Sequence, residues 1–468
     1  MNKVLLKYLS DIRFWIILTV LIKMIGITDP PIEIGHNWRQ TTVTMAARNF
    51  LEVDNNILYP RIDIAGEKTG ITGMEFPLFN YLIYLISYLF GYEHWYGRLI
   101  NVLISSFGAW YFFKLISRYF TQKVAFNATL ILLFSVWFSY SRKIMPDTFA
   151  VSLVLMGMYF SSNYLEKNKF WQLVIGSIFI GLGVLSKLPA GVVLTPFVLF
   201  LFAKKYLITT KSLLSFFTAI AIIPSIVWYF YWVPFLNKEY GFWHFFMGKP
   251  MTQGLQEILA DMNKFLEKFY GTTLFYVGFI VFVMGIFFAI RHKHKLLLWT
   301  TGISLVAILL IMLKSGQTFA HHTYYMIPFI PAMALVAGYG ISTIPIRYIS
   351  IALLTGIIAE GTLNQYVDFK IPEKHIGILN LEKDLNHFSE KEDLIIINSR
   401  NVPTPMYFAH RKGWVTDNEN IKNEEYINGL KLKGLKFIVV LKKAFGTEIK
   451  LPYTRVLNNE NYTIYSTH

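Results

Sequence analysis

Residues 75–90 read EFPLFNYLIYLISYLF, and the placement of this run decides the topology of everything after it. Counted as a membrane span, 76–90 reverses the side of every later loop. Laid along the bilayer surface, it leaves a polar loop at 28–95 whole on one side. The basic residues choose between the two. With 76–90 at the surface, one side receives Lys3, Lys7, Arg13, Lys114, Arg118, Lys123, Lys167, Lys169, Lys204, Lys205, Lys211, Arg291, Lys293, Lys295 and Arg347, against only Asp11 and Glu166. The opposite short loops keep Arg142, Lys143, Lys187 and Lys314, and the longer loop at 235–271 is balanced. Because Lys and Arg are enriched in cytoplasmic loops, this asymmetry predicts a cytoplasmic N terminus, a surface helix at 76–90 and a C terminus outside.

Composition places the chain in a membrane. Of 468 residues, 54% are hydrophobic, 17% aromatic and only 16% charged, which excludes a soluble multidomain protein. The net charge of +15 lies in short loops between apolar runs, where it reads as topology rather than as a nucleic-acid surface. The absence of cysteine excludes disulfides and thiol chemistry. A span across a ~30 Å hydrocarbon core needs roughly 20 mostly apolar residues. Eleven stretches qualify on this reading, at 14–28, 97–116, 122–140, 145–164, 170–187, 189–204, 211–234, 272–290, 295–313, 324–343 and 346–363. The first retains Lys23 and runs into Asp29, Pro30 and Pro31 rather than a small-residue cleavage site, so it reads as an uncleaved anchor.

The expected architecture is therefore an α-helical polytopic membrane protein with about eleven transmembrane helices, a large first outer loop and a small C-terminal α/β domain. Residues 1–367 form the transmembrane domain, with outer loops at 28–95 and 235–271, and 368–468 the extracytoplasmic domain. In the second loop Leu255, Ile258, Leu259, Met262, Phe265, Leu266 and Phe269 fall on one apolar helical stripe, suited to lying on the bilayer or covering a pocket. In the terminal domain 394–398 and 437–441 read as buried strands.

The polar residues of the outer face carry the chemistry. The first loop holds Asp29, Glu33, His36, Trp38, Arg39, Gln40, a helical stretch at 45–52, and Glu75. Further polar groups recur at span ends: Arg98; Arg142, Lys143 and Asp147; Lys187; and His321, His322, Tyr324 and Tyr325. Cations at this depth are costly unless paired or facing a wet cavity, so several together point to an anionic ligand such as a lipid phosphate. Adjacent histidines point apart and no third ligand is near, so no metal site is expected. No cofactor is expected either.

These elements resemble the C-type membrane glycosyltransferases, closest in pattern to the protein O-mannosyltransferases of family 39 and the lipid A aminoarabinose transferases. The resemblance rests on Arg39, Gln40, Ala47, Arg48 and Asn49; on Glu75 to Phe79; on Arg142 to Asp147; on Gly183 with Ser186 and Lys187; and on His321 to Tyr325 followed by Pro328 and Pro331. It covers roughly 10–345. It implies transfer of a sugar from a polyprenyl-phosphate donor to a lipid, glycan or protein acceptor, with inversion, at the outer face of a bacterial inner membrane. That chemistry needs a carboxylate to deprotonate the acceptor and cations to stabilise the departing lipid phosphate. On this resemblance Arg39, Arg98, Arg142, Lys143, Lys187, His321 and His322 would meet the donor phosphate. Trp38, Gln40, Asp147, Tyr324 and Tyr325 would line the pocket.

One departure affects the base. Relatives place an acidic residue beside the arginine at the start of the first loop helix, where this chain has His36, Asn37, Trp38 and Arg39. Glu33 is nearest that position and ranks first, followed by Glu75, with Asp29 and His36 in reserve. Two other classes remain in view. A lipid-linked-sugar transporter would show repeated halves or midplane charges, and a non-catalytic assembly protein would have no use for Arg39, Glu75, Asp147 and Lys187 acting together.

Overall fold

The computed structural model describes residues 8–244, 246–445 and 447–468. Lys3 and Lys7, two of the basic residues in the topology argument, lie outside the described residues. The chain divides into two compact units: residues 1–27, 98–230 and 246–366 in one, and 28–97, 231–245 and 367–468 in the other. The boundary near 367 recurs, but the first outer loop and residues 231–245 cluster with the terminal segment, while 246–271 of the second loop stays with the helices.

The first unit is a helix bundle built from α1 (Ile12–Met24), α4 (Tyr96–Tyr119), α5 (Gln122–Phe134), α6 (Pro146–Lys167), α7 (Phe170–Ser186), α8 (Ile208–Val227), α9 (Met251–Ala260), α10 (Phe275–Arg291), α11 (Lys295–Ser315), α12 (Ile330–Thr343) and α13 (Arg347–Gln365). Small residues set how closely the helices approach. A methyl group on Gly157 of α6 would lie 2.7 Å from the Gly176 carbonyl of α7. Without an apolar gain from leaving lipid, such backbone proximity is what holds membrane helices together.

All eleven predicted spans fall on helical segments. Among the described residues, four helices are long and apolar enough to cross a membrane: Tyr96–Tyr119, Ile208–Tyr240, Lys295–Ser315 and Thr323–Thr343. A fifth follows if Met262–Thr273 and Phe275–Arg291, bent by 94°, count as one. The remaining segments are shorter, less apolar or broken, for physical reasons. α6 buries Thr148, Ser152, Ser161, Ser162 and Asn163, which lowers its mean hydropathy. The run 188–202 carries Pro189 and Pro196 and folds as short 3₁₀ and α pieces. The chain as a whole is an integral membrane protein.

The stripe foreseen at 255–269 splits. Ile258 and Phe265 are buried, while Leu255, Leu259, Met262 and Leu266 are exposed. The apolar residues wrap more than one face, and the helix breaks at Asp261, where ψ is 50°. One face packs inward and the other is left bare.

In the second unit lie α2 (Asn37–Glu52), α3 (Leu78–Phe90) and a five-stranded sheet. α3 has 13 residues, a length of about 20 Å at 1.5 Å per residue, too short for a ~30 Å core. It buries Phe79, Ile83 and Tyr84 and exposes Leu85, Tyr88, Leu89 and Phe90. The two strands read from sequence appear as β1 (Leu394–Ile397) and β3 (Leu435–Leu441). β2 (Gly413–Val415), β4 (Thr454–Asn458) and β5 (Tyr462–Ser466) complete a sheet of order β2-β1-β3-β5-β4, parallel from β2 to β3 and antiparallel thereafter. β4 is a largely exposed edge without alternating burial, which is why its sequence does not read as strand.

Candidate functional site

α2 begins at residue 37, eight residues before the helix read from sequence. Its amphipathicity is weak because twelve of its sixteen residues are buried, Arg39, Gln40, Thr41, Thr42, Thr44, Arg48 and Asn49 among them. A helix sunk all round with polar side chains needs partners on every face. Thr41 Oγ1 lies 3.1 Å from Thr404 Oγ1, and Thr404 donates to Asn37 Oδ1 at 3.0 Å. Asn80 Nδ2 donates to the Val43 carbonyl at 2.9 Å. Arg48 bonds Asp63 at 3.0 Å and the Tyr407 carbonyl at 2.9 Å, with its guanidinium 4.7 Å from the Tyr407 ring centre. Asn49 donates to the other Asp63 oxygen at 2.7 Å.

The amino end of α2 collects several of the predicted residues. His36 precedes it with φ 62°, in the left-handed region, and its carbonyl accepts from the Arg39 and Gln40 amides. Glu33, 2% exposed, accepts from Gln40 Nε2 at 2.9 Å. Arg39 forms a buried ion pair with Glu75. A neutral amide thus faces the Glu33 carboxylate, whereas Glu75 is met by a guanidinium. Asp29 and Trp38 are partly buried in the same unit.

His244 was not among the residues singled out from sequence. Burial pushes its imidazole down, the Arg39 charge adds to this, Glu75 opposes it, and the result is about 4. It is therefore neutral near pH 7 and faces the Arg39–Glu75 pair electrostatically. A lone histidine in a balanced loop gives no signal that would have found it.

In the helix bundle a second group forms around the turn between α5 and α6. Asn101 Nδ2 donates to the carbonyls of Tyr140, Lys143 and Met145 at 2.9, 2.7 and 3.2 Å, while its Oδ1 accepts from Thr148 at 3.0 Å. That one side chain shapes the loop bearing Arg142, Lys143 and Asp147. Pro146 then opens α6, and Asp147 sits in its first turn, where the helix dipole favours an anion. Lys187 Nζ lies 3.3 Å from Asp147 Oδ1 and 5.1 Å from the Tyr324 ring centre. His322 stacks on Tyr324 with ring centres 5.1 Å apart and planes at 10°. Tyr325 sits 4.9 Å from Tyr324. Lys143 Nζ lies 4.5 Å over the Tyr140 ring.

Two of the predicted phosphate contacts bind backbone. Arg142 donates from Nε to the Lys23 carbonyl at 3.1 Å and from Nη2 to those of Ile25 and Gly26. Arg98, fully buried, donates to the Ile27 carbonyl at 3.0 Å. Together the two cations satisfy carbonyls at and just beyond the end of α1, which a helix end leaves without helical partners. His321 is exposed at the end of a short helix, Gln317–His321, and is not drawn into the Lys187 group by stacking as His322 is. Among the described residues no group of three or more His, Cys, Asp or Glu is arranged to hold a metal ion.

Comparison with known proteins sets these groups in context. Residues 75–229 match the family described as dolichyl-phosphate-mannose-protein mannosyltransferase. No curated protein matches the chain by sequence. In fold, the chain is similar to ArnT from Cupriavidus metallidurans bound to undecaprenyl phosphate, with TM-score 0.60 and 12% identity over 97% of this chain and 98% of that one. The apo form of ArnT gives 0.59 and 13%, covering 97% of each chain. The oligosaccharyltransferase of Archaeoglobus fulgidus in its apo form gives 0.54 and 11% over 92% of this chain and 70% of that one. In sequence over 75–229, and in fold over nearly its whole length, the protein resembles the C-type membrane glycosyltransferases of the protein mannosyltransferase and ArnT kind.

Proposed function

We propose that the protein is a glycosyltransferase that moves a sugar from a polyprenyl-phosphate donor to a hydroxyl of a lipid, glycan or protein acceptor, with inversion, at the outer face of a bacterial inner membrane. The observation that carries this reading is the burial of charged candidate residues against polar or charged partners. Glu33 meets Gln40 and Arg39 meets Glu75 at the amino end of α2, and Lys187 meets Asp147 at the head of α6. Buried charges are expensive and are retained where chemistry needs them. ArnT, a fold relative, binds undecaprenyl phosphate, which supports a lipid-phosphate leaving group.

In this mechanism Glu33 takes the proton of the acceptor hydroxyl as its oxygen attacks the anomeric carbon from the face opposite the lipid phosphate. The C–O bond to the phosphate breaks, and the electron pair leaves with the polyprenyl phosphate. Glu33 ranks above Glu75 because it is nearest the position where relatives carry an acidic residue, and Gln40 bonds it at 2.9 Å. Arg39, in the same unit as Glu33, and separately Lys143 and Lys187 in the helix bundle keep the donor-phosphate role that the resemblance implies for them, as do Arg98 and Arg142. Gln40 holds the Glu33 carboxylate in place, and neutral His244 lies within electrostatic reach of Arg39.

The test is transfer rate at saturating donor for Glu33→Gln, Glu75→Gln, Asp29→Asn and Asp147→Asn, each checked for folding and donor binding. Loss of a general base costs on the order of 100-fold or more, and Glu33→Gln is expected to show it. If none of the four falls below about a tenth of the wild-type rate, a carboxylate base is excluded and His36 is the residue to change. Mass spectrometry of outer-face glycolipids and glycoproteins, with and without the protein, then identifies sugar and acceptor through a one-sugar mass difference.

A further inference from the structure

The broken segment 188–202 is short for a span, and the chain turns back at 203–206 before α8 begins. Two apolar cavities flank it at the end of the bundle where α4 and α6 finish and α8 and α11 start. One, of about 570 Å³, is lined by Phe197, Leu201 and Leu214 among others, with Lys211 in its wall. The other, of about 300 Å³, is lined by Ile116, Leu199 and Leu296 among others, with Lys205 in its wall. Phe200 lines both. Each volume lies in the range of small-molecule ligand sites, and none of the candidate catalytic or phosphate-binding residues touches either cavity.

The charge at their mouths is one-sided. Lys211 Nζ donates to the carbonyls of Leu201 and Ala203 at 2.9 and 3.3 Å, capping the carbonyl end of the broken segment. Lys205 Nζ lies 3.6 Å from Glu166, and Arg118 lies 3.3 Å from the same carboxylate. Lys204 is exposed beside them. One carboxylate thus serves two cations, with two lysines in addition. The Lys205 side chain is 71% exposed, so its ion pair is weak and yields readily to a competing anion.

We propose that these two cavities form a binding site for one anionic diacyl phospholipid of the leaflet that this end of the bundle faces. Its phosphate lies against Lys205 and Lys211, with Lys204 adding to the attraction, and one acyl chain enters each cavity on either side of the Phe200 ring. Two apolar compartments that share Phe200, each with a lysine in its wall, fit two tails on one headgroup. A single polyprenyl chain would leave one compartment empty. Basic pockets between transmembrane helices recognise anionic headgroups through this combination of charge and apolar volume.

The experiment uses the full chain in detergent, with lipid binding followed by native mass spectrometry and by the thermal unfolding midpoint. The probes are phosphatidylglycerol, phosphatidylcholine of the same acyl length, lyso-phosphatidylglycerol and a polyprenyl phosphate. One phosphatidylglycerol is expected to bind per chain, in preference to phosphatidylcholine, and to raise the midpoint. At about 1 kcal/mol per lysine near the headgroup, Lys204→Gln and Lys205→Gln should each weaken phosphatidylglycerol about fivefold. Ala219→Phe, which fills the larger cavity, should cost phosphatidylglycerol its advantage over the one-tailed lyso lipid while leaving the lysine effect in place. Equal binding of phosphatidylglycerol and phosphatidylcholine, indifference to both lysine changes, or displacement of phosphatidylglycerol by the polyprenyl phosphate would each overturn the proposal.

Discussion

The Lys187–Asp147 pair offers the clearest separation of structural from chemical roles, and its energetics follow from the geometry. At 3.3 Å, with side chains 9% and 4% exposed, an effective dielectric near 20 gives an attraction of about 5 kcal/mol. The Tyr324 ring 5.1 Å from Nζ adds ~1 kcal/mol of cation–π attraction. Lys187→Met removes both and leaves Asp147 buried beside an apolar chain, so a loss of about 3–5 kcal/mol is expected. In the double variant Lys187→Met, Asp147→Asn both charges of the pair are removed. Most of that stability should return, giving a coupling of ~2 kcal/mol in a double-mutant cycle read from equilibrium unfolding in detergent. The same folded double variant should turn over donor more slowly by ~1–3 kcal/mol of lost charge-assisted bonding. A single variant costing under ~1 kcal/mol would refute the dry environment assumed here. A stable double variant with wild-type turnover would remove Lys187 from phosphate recognition and leave it a structural counter-ion.

Three further outcomes are expected. His244 is held at about 4 against 6.5 unfolded, so the unfolded chain binds the extra proton between these values and stability falls as pH drops from about 6.5 to 4; at 1.36 kcal/mol per unit the loss is about 3 kcal/mol. His375, also lowered by burial, acts in the same direction, so the measured quantity is the slope that His244→Gln removes. His410 behaves oppositely: burial lowers it, but hydrogen bonds with Glu382 at 2.5 Å and Glu52 at 2.8 Å outweigh this and raise it. Its contribution is full below pH 6.5 and lost as pH rises through the raised value. His410→Leu should therefore cost ~1–2 kcal/mol at pH 6 and less at pH 9, by unfolding at the two pH values. Finally, cysteines placed at Asn55, Thr252 and Asn401 should react with an impermeant reagent from outside while one at Asn168 should not; the reverse pattern would invert the proposed orientation.

The readable parts of this sequence were those governed by transfer from water to lipid. Apolar runs located the helices, and the apolar strands β1 and β3 announced themselves because both of their faces are covered. What escaped was decided by tertiary partners. β4 is polar because it is an edge, and the stripe at 255–269 divided between two faces. Periodicity carries no information about which acceptor a cation will find, because carbonyls and phosphates attract guanidinium alike.

α2 is where local rules fail most fully, and the failure is informative. Its Arg39, Gln40, Arg48 and Asn49 are buried without an apolar face to explain the burial, and each is matched by a partner brought from elsewhere in its unit: Glu75, Glu33 and Asp63 from the first loop, and Tyr407 from the terminal segment. The carboxyl end of the helix is held in the same way. Burial works against the Glu52 carboxylate, but hydrogen bonds from His410 and Lys391 outweigh it and keep the group at about 2. A helix that draws its stability from polar partners at both ends is not selected for packing. Its partners fix where Arg39 and Gln40 stand, and thereby where Glu75 and Glu33 stand. The terminal segment therefore acts, through Thr404, Tyr407 and His410, on the same helix that carries the candidate base's hydrogen-bond donor. That is a positioning role which neither hydropathy nor residue spacing encodes.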